Sequence, residues 1–205
     1  MNILAIGAHP DDIEFGCGGT LVKYAQKEHN VYLLILTDGS YGGDPETRKN
    51  EQTEAARYLR VKEIFWGNIK DTELMESRKL IVSIEDVVNK IKPDIVFINY
   101  PEDVHQDHRA ASKAAVSATR YIKEVLFFEV PTTSNFEPDI FVDIEEVLEY
   151  KLQLLRLHTS QVHKVKVANL SILQSAQSCA NFRGYQGRVK YAEGFKALRV
   201  LREIA

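Results

Sequence analysis

Short apolar runs alternate along this chain with longer segments that carry apolar residues at helical spacing, and this alternation limits the possible folds more than any other feature. Runs at 3–6, 31–36, 63–66, 95–98 and 125–128 read as strands, and helices are expected over 17–28, 47–59, 76–91 and 107–119. A helix between successive strands marks βαβ units, so the sequence predicts an α/β protein with a mostly parallel sheet and helices on both faces. After residue 130 the alternation blurs: 141–144 reads as a short strand, and 145–158 and 167–182 as helices. With 205 residues, no long polar linker and no repeat at a fixed period, one domain over 1–205 is expected.

Composition narrows the partners. The balance of 26 Lys and Arg against 29 Asp and Glu gives a net charge of −3, which offers no global basic field for nucleic acid. The basic residues between Arg183 and Arg188, interleaved with Phe182 and Tyr185, form too short a stretch to change that expectation. No apolar run approaches the roughly 20 residues of a membrane span, and no basic leader precedes the first strand. Only two cysteines occur, Cys17 and Cys179, and they form no CxxC pair. A cytoplasmic protein without membrane or nucleic-acid partners is expected.

In an open parallel sheet, ligands bind beyond the carboxyl ends of the strands. The loops expected there, after strands one, two and four, hold His9-Pro10-Asp11-Asp12, Thr37-Asp38-Gly39 and His105-Gln106-Asp107-His108. Two imidazoles and a carboxylate with coordination positions left open suit a catalytic zinc ion, since structural zinc sites usually close all four positions with protein ligands. Taken alone, His-Pro-Asp-Asp is an ordinary turn. It becomes a metal-site candidate when the fold brings the second cluster beside it. Gly16, Gly18 and Gly19 match neither phosphate-loop pattern and read as close packing of helix on sheet, with Cys17 a small buried residue among them. His29 and His163 read as surface residues.

The segment from Gly7 to Glu14, followed by Gly16-Cys17-Gly18-Gly19 and by His105-Gln106-Asp107-His108, resembles the PIG-L/LmbE family of zinc-dependent N-deacetylases. Arg48-x-x-Glu51, His158-Thr159-Ser160-Gln161 and Tyr191-Ala192-Glu193-Gly194-Phe195 add to the resemblance, which spans nearly the whole chain. It implies a Rossmann-like three-layer sandwich and removal of acetyl groups from N-acetylglucosamine-type sugars. It further implies zinc, or another divalent metal in its place, held by His9, Asp12 and His108, and Asp11 as the general base. His105 is implied to steady the tetrahedral oxyanion, Asp107 to orient His105 and favour its protonated form, and Arg48 to bind sugar hydroxyls. Some family members assemble as trimers or hexamers, so a homo-oligomer is expected. His158 is expected to shape the pocket without binding metal. Glu14 and Asp38 are candidates for contacts with substrate or with the metal-binding imidazoles.

Two other functions compete with this expectation. One is a zinc hydrolase for a different N-acyl substrate, such as an N-acyl amino acid, because the metal chemistry is the same. The other is a sugar- or nucleotide-binding protein without catalysis, which the presence of a candidate base and oxyanion donor disfavours.

Overall fold

The computed structural model describes residues 1–201. In chain order these form β1 (Asn2–Gly7), α1 (Asp12–Gln26), β2 (Asn30–Thr37), α2 (Pro45–Leu59), β3 (Glu63–Ile69), α3 (Arg78–Ile91), β4 (Ile95–Asn99), α4 (Gln106–Ala118), β5 (Glu124–Phe128) and β6 (Ile140–Asp143). A 3-10 turn (Glu145–Val147), α5 (Leu148–Leu157), α6 (Ile172–Gly187) and β7 (Ala192–Arg199) follow. The sheet has seven strands in the order β3-β2-β1-β4-β5-β7-β6. Strands β1 to β5 pair in parallel, and β7 runs antiparallel to both β5 and β6.

Strands β1, β2, β4 and β5 are apolar on both sides because both faces of the sheet are covered there. Ile3, Ala5, Leu33, Phe97 and Phe128 pack with residues of α1, α2, α5 and α6, whereas Leu4, Ile6, Leu34, Ile98 and Phe127 pack with α3 and α4. The result is the expected three-layer α/β sandwich. Strand β1 has β2 on one side and β4 on the other. The loops leaving β1 and β4 therefore lead to helices on opposite faces and open a crevice at the carboxyl edge between them.

Several features differ from the sequence expectation. Helix α1 begins at Asp12, not residue 17, and holds Gly16, Gly18 and Gly19 despite their poor helix propensity. Packing overrides propensity here: a Cβ on Gly16 would lie 2.1 Å from the Phe128 ring, and one on Gly19 would lie 2.9 Å from Ile144. Helix α6 is Ile172–Gly187, not 167–182, because Ser171 starts it with a capping box completed by Gln174.

Strand β7 was not expected as a strand. Its second residue, Glu193, is charged yet buried, because it accepts the amides of Gly19 and Thr20 at 2.8 and 2.7 Å and pairs with the buried Lys151 ammonium. This pair clamps β7 and α5 to α1, the helix that begins at the metal-site candidate.

Candidate active site

The loop after β1 is pinned before it reaches the candidate residues. The Ala8 amide donates to Asn99 Oδ1 at 3.1 Å, and the Thr37 hydroxyl donates to the Ala8 carbonyl at 2.8 Å. Beyond Pro10, Asp11 adopts φ 85° and ψ −22°, a left-handed conformation uncommon for any residue but glycine. Such strained residues cluster at functional sites. The turn sends two consecutive carboxylates apart: Asp12 Oδ2 accepts the His9 amide at 2.9 Å, while Asp11 Oδ2 accepts Arg48 Nη1 at 3.3 Å.

His9, Asp12 and His108 are all buried and converge. His9 Nδ1 lies 3.1 Å from His108 Nε2 and 3.5 Å from Asp12 Oδ2, and His108 Nε2 lies 3.3 Å from Asp12 Oδ1. Ligand atoms on a tetrahedral ion at about 2.0–2.1 Å stand roughly 3.3 Å apart. The spacing, the donor set and the burial therefore fit a divalent cation.

The second nitrogen of each ring is turned onto a carboxylate, as in metal-binding histidines. His9 Nε2 is 3.1 Å from Asp71 Oδ1 and 3.2 Å from Asp107 Oδ2, and His108 Nδ1 is 3.1 Å from Asp103 Oδ2. Among the described residues, His9 with His105 and His108, and His9 with Asp71 and Asp107, bring one donor atom each within 4.8 Å of one another, so these groups could hold a metal too. Their additional members have other partners: Asp71 accepts the Tyr41 amide, Asp107 the Thr72 amide, and His105 Nδ1 the Asp107 amide. His9, Asp12 and His108 are a further set that could hold an ion, with His9 common to all three.

The charges agree with a cation site. Burial alone would raise the Asp12 pKa, but His108 and His9 hold it well below the usual carboxylate range. Burial would likewise lower both imidazoles, yet their carboxylate partners raise His9 well above its usual value and His108 to about 9. Asp71 falls to about 2, where the His9 contact outweighs burial. Protons and a metal ion would compete for this cluster.

Asp11 differs from its neighbour. Withdrawal from water raises its pKa, opposed by the charges of Arg48 and His158. Arg48 is buried, and its Nη2 donates to the Pro10 carbonyl at 2.7 Å, which fixes it against the loop after β1.

The relation implied between Asp107 and His105 takes a different form. Asp107 touches His105 through its backbone amide, 3.2 Å from Nδ1, while its carboxylate is spent on His9 and Thr72. Burial, then the neighbouring His9 and His108, lower the His105 pKa, and the Asp107 charge opposes them. With Nδ1 accepting the amide, the neutral ring carries its proton on Nε2.

A cavity of about 290 Å³ lies over the cluster, lined by His9, Asp12, Arg48, Asp71, His105 and Gln161 among others. A larger depression of about 690 Å³ under the 163–174 loop contains none of the clustered residues. Sequence reasoning missed Asp71 and Asp103. Asp71 follows β3, which continues through Gly67 and Asn68 to Ile69, so ending the strand at 66 hid the loop at its carboxyl end. Glu14 and Asp38 do not reach the clustered imidazoles: Glu14 accepts Gln52 Nε2 at 2.6 Å and faces the buried His158 at 3.6 Å, and Asp38 accepts the amides of Ser40 and Asp71.

The model of the PIG-L family, described as GlcNAc-PI de-N-acetylase, matches residues 4–119. An uncharacterized deacetylase of Escherichia coli (strain K12), YaiS, is 36% identical over 77% of this chain and 90% of its own length. The diacetylchitobiose deacetylase of Thermococcus kodakarensis is 32% identical over 78% of this chain and 69% of its own. Among solved structures, the N,N'-diacetylchitobiose deacetylase from Pyrococcus horikoshii superposes with a TM-score of 0.86 at 28% identity, covering 96% of this chain and 83% of that one. No helix among the described residues is long and apolar enough to cross a membrane. The family match takes in β1 through α4 and hence both halves of the buried cluster, and the chain belongs to the PIG-L family of de-N-acetylases.

Proposed function

We propose that this protein is a metal-dependent hydrolase that removes the acetyl group from an N-acetylglucosamine-type sugar or glycoside, with zinc as the metal. The observation that carries this reading is the convergence of His9, Asp12 and His108 within 3.1–3.5 Å, with Asp11 turned out of the cluster beside them. Relatives named as deacetylases of N-acetylated sugars support the substrate class.

His9, Asp12 and His108 would hold the ion, which when bound supplies Lewis acidity to the acetamide carbonyl and to water. Asp11, raised toward the working pH and anchored by Arg48, takes the proton of the attacking water. The Nε2–H of neutral His105 donates to the oxygen that becomes negative as the carbonyl carbon turns tetrahedral. Asp107 fixes His105 with its amide and His9 with its carboxylate. Asp11 returns its proton to the departing amine, so that water is consumed and acetate and a free amino sugar are released. Arg48 and Asp71, both in the cavity wall, meet the sugar hydroxyls.

This reading treats residues 1–205 as one LmbE-like deacetylase domain in the cytoplasm, assembled as a trimer or hexamer, with a small-molecule sugar as its partner. The test is free-amine release from a panel of N-acetylglucosamine glycosides and N-acetyl amino acids by zinc-loaded protein. Release from the sugars is the expected result. Release from the amino acids alone would move the protein to another amide-hydrolase class.

A further inference from the structure

A second cavity, about 180 Å³, lies against Asp11 and Asp12. It shares only Asp11, Asp12 and Gln161 with the first. Its remaining wall is Phe15, Val130, Pro131, Val165 and Ile172, with Lys164 the one charged residue besides the two aspartates. The first chamber, by contrast, presents an arginine, two histidines and the Asp71 carboxylate, groups that hydrogen-bond hydroxyls.

On the proposed deacetylase reading, the scissile amide lies beside Asp11 and Asp12, where the chambers meet. An amide is planar and trans, so the group on its nitrogen and the chain on its carbonyl carbon leave in opposite directions. A sugar in the polar chamber leaves the adjoining apolar one to the acyl chain. A sugar's aglycone would leave from the sugar, on the polar side. A methyl group is about the size of a water molecule, whose share of liquid volume is roughly 30 Å³. An acetyl methyl thus leaves most of the chamber empty.

We propose that this chamber is an acyl subsite and that the enzyme's substrates include N-acyl amino sugars with chains longer than acetyl, up to about six carbons. The bond broken and the water consumed are those of deacetylation; the carboxylic acid released is correspondingly longer.

The test is a series of N-acetyl, N-propionyl, N-butyryl and N-hexanoyl glucosamines, assayed for amine release with wild type and with Val165→Trp and Ile172→Phe. Each added methylene that enters the chamber is expected to raise kcat/KM by up to about fourfold. The hexanoyl-to-acetyl ratio is expected to fall at least about tenfold in Val165→Trp, with Ile172→Phe giving the same direction from an independent wall. As a second readout, hexanoate should inhibit wild type more tightly than acetate and lose that advantage in Val165→Trp. Hydrolysis of the acetyl compound with steadily falling rates up the series would overturn the acyl subsite and leave the deacetylase reading intact. A Val165→Trp effect on apolar aglycones, with none on acyl length, would assign the chamber to the aglycone and also overturn the proposal. No hydrolysis of any member would remove both readings.

Discussion

His9 Nδ1 and His108 Nε2 lie 3.1 Å apart although the residues are 99 positions apart in the chain. The fold makes this contact possible, because β1 and β4 are neighbours in the sheet and their loops leave it at the switch point. Two imidazoles at this distance beside Asp12 gain a common partner when a cation sits between them.

Asp103 holds His108 from behind, with Oδ2 at 3.1 Å from Nδ1 and its own second contact to the Thr133 hydroxyl. Such outer partners typically contribute 10- to 100-fold in metal affinity. Asp103→Asn is expected to weaken zinc binding by about that factor while the protein stays folded, measured by competition with a chelator and by circular dichroism. Unchanged affinity would show that Asp103 is not needed to orient the ring.

Glu51 ties α2 to the segment after α5. It accepts the Thr159 hydroxyl, the Ser160 amide and the Ser160 hydroxyl, each at 2.7 Å. Burial opposes its charge, but these hydrogen bonds outweigh burial and lower its pKa. A carboxyl whose folded pKa lies below its unfolded value adds stability above the unfolded value and loses it as pH falls through the folded one. Glu51→Gln is therefore expected to cost stability at neutral pH, and the gap from wild type should close as denaturation is measured at pH values falling below the ordinary glutamate range. A gap independent of pH would place the effect in packing and not in charge.

The Lys151 and Glu193 pair is buried on both sides. Removing one partner of such a pair leaves an uncompensated charge and costs about 3–5 kcal/mol. Lys151→Met should therefore lower Tm by roughly 10 °C in a chain of this size, as read by differential scanning calorimetry. A change within two degrees would mean that the two amides held by Glu193 already compensate its charge.

Much of this arrangement is legible in the sequence, for identifiable reasons. Five parallel strands appear as apolar runs because both faces are covered, and His9, Asp12 and His108 stand out because the strand-end rule places their loops together. What escapes depends on partners that are distant in the chain. Glu193 makes β7 look like a polar loop until Lys151 and the α1 amides are seen around it. Asp71 reaches His9 only because β3 persists past Gly67, where a Cβ would lie 2.5 Å from the Leu36 carbonyl oxygen. The division of Asp107 between His105 and His9 is a matter of side-chain direction, which spacing does not encode.

The central claim is that Asp11 acts on water beside a metal held by its neighbours. The most direct measurement is amine release from an N-acetylglucosamine glycoside by Asp11→Asn, with zinc content determined on the same sample. The account predicts one zinc per chain and a turnover about 10²–10⁴ times below wild type, the range for loss of a positioned general base. Turnover within a few-fold of wild type with zinc in place would contradict it.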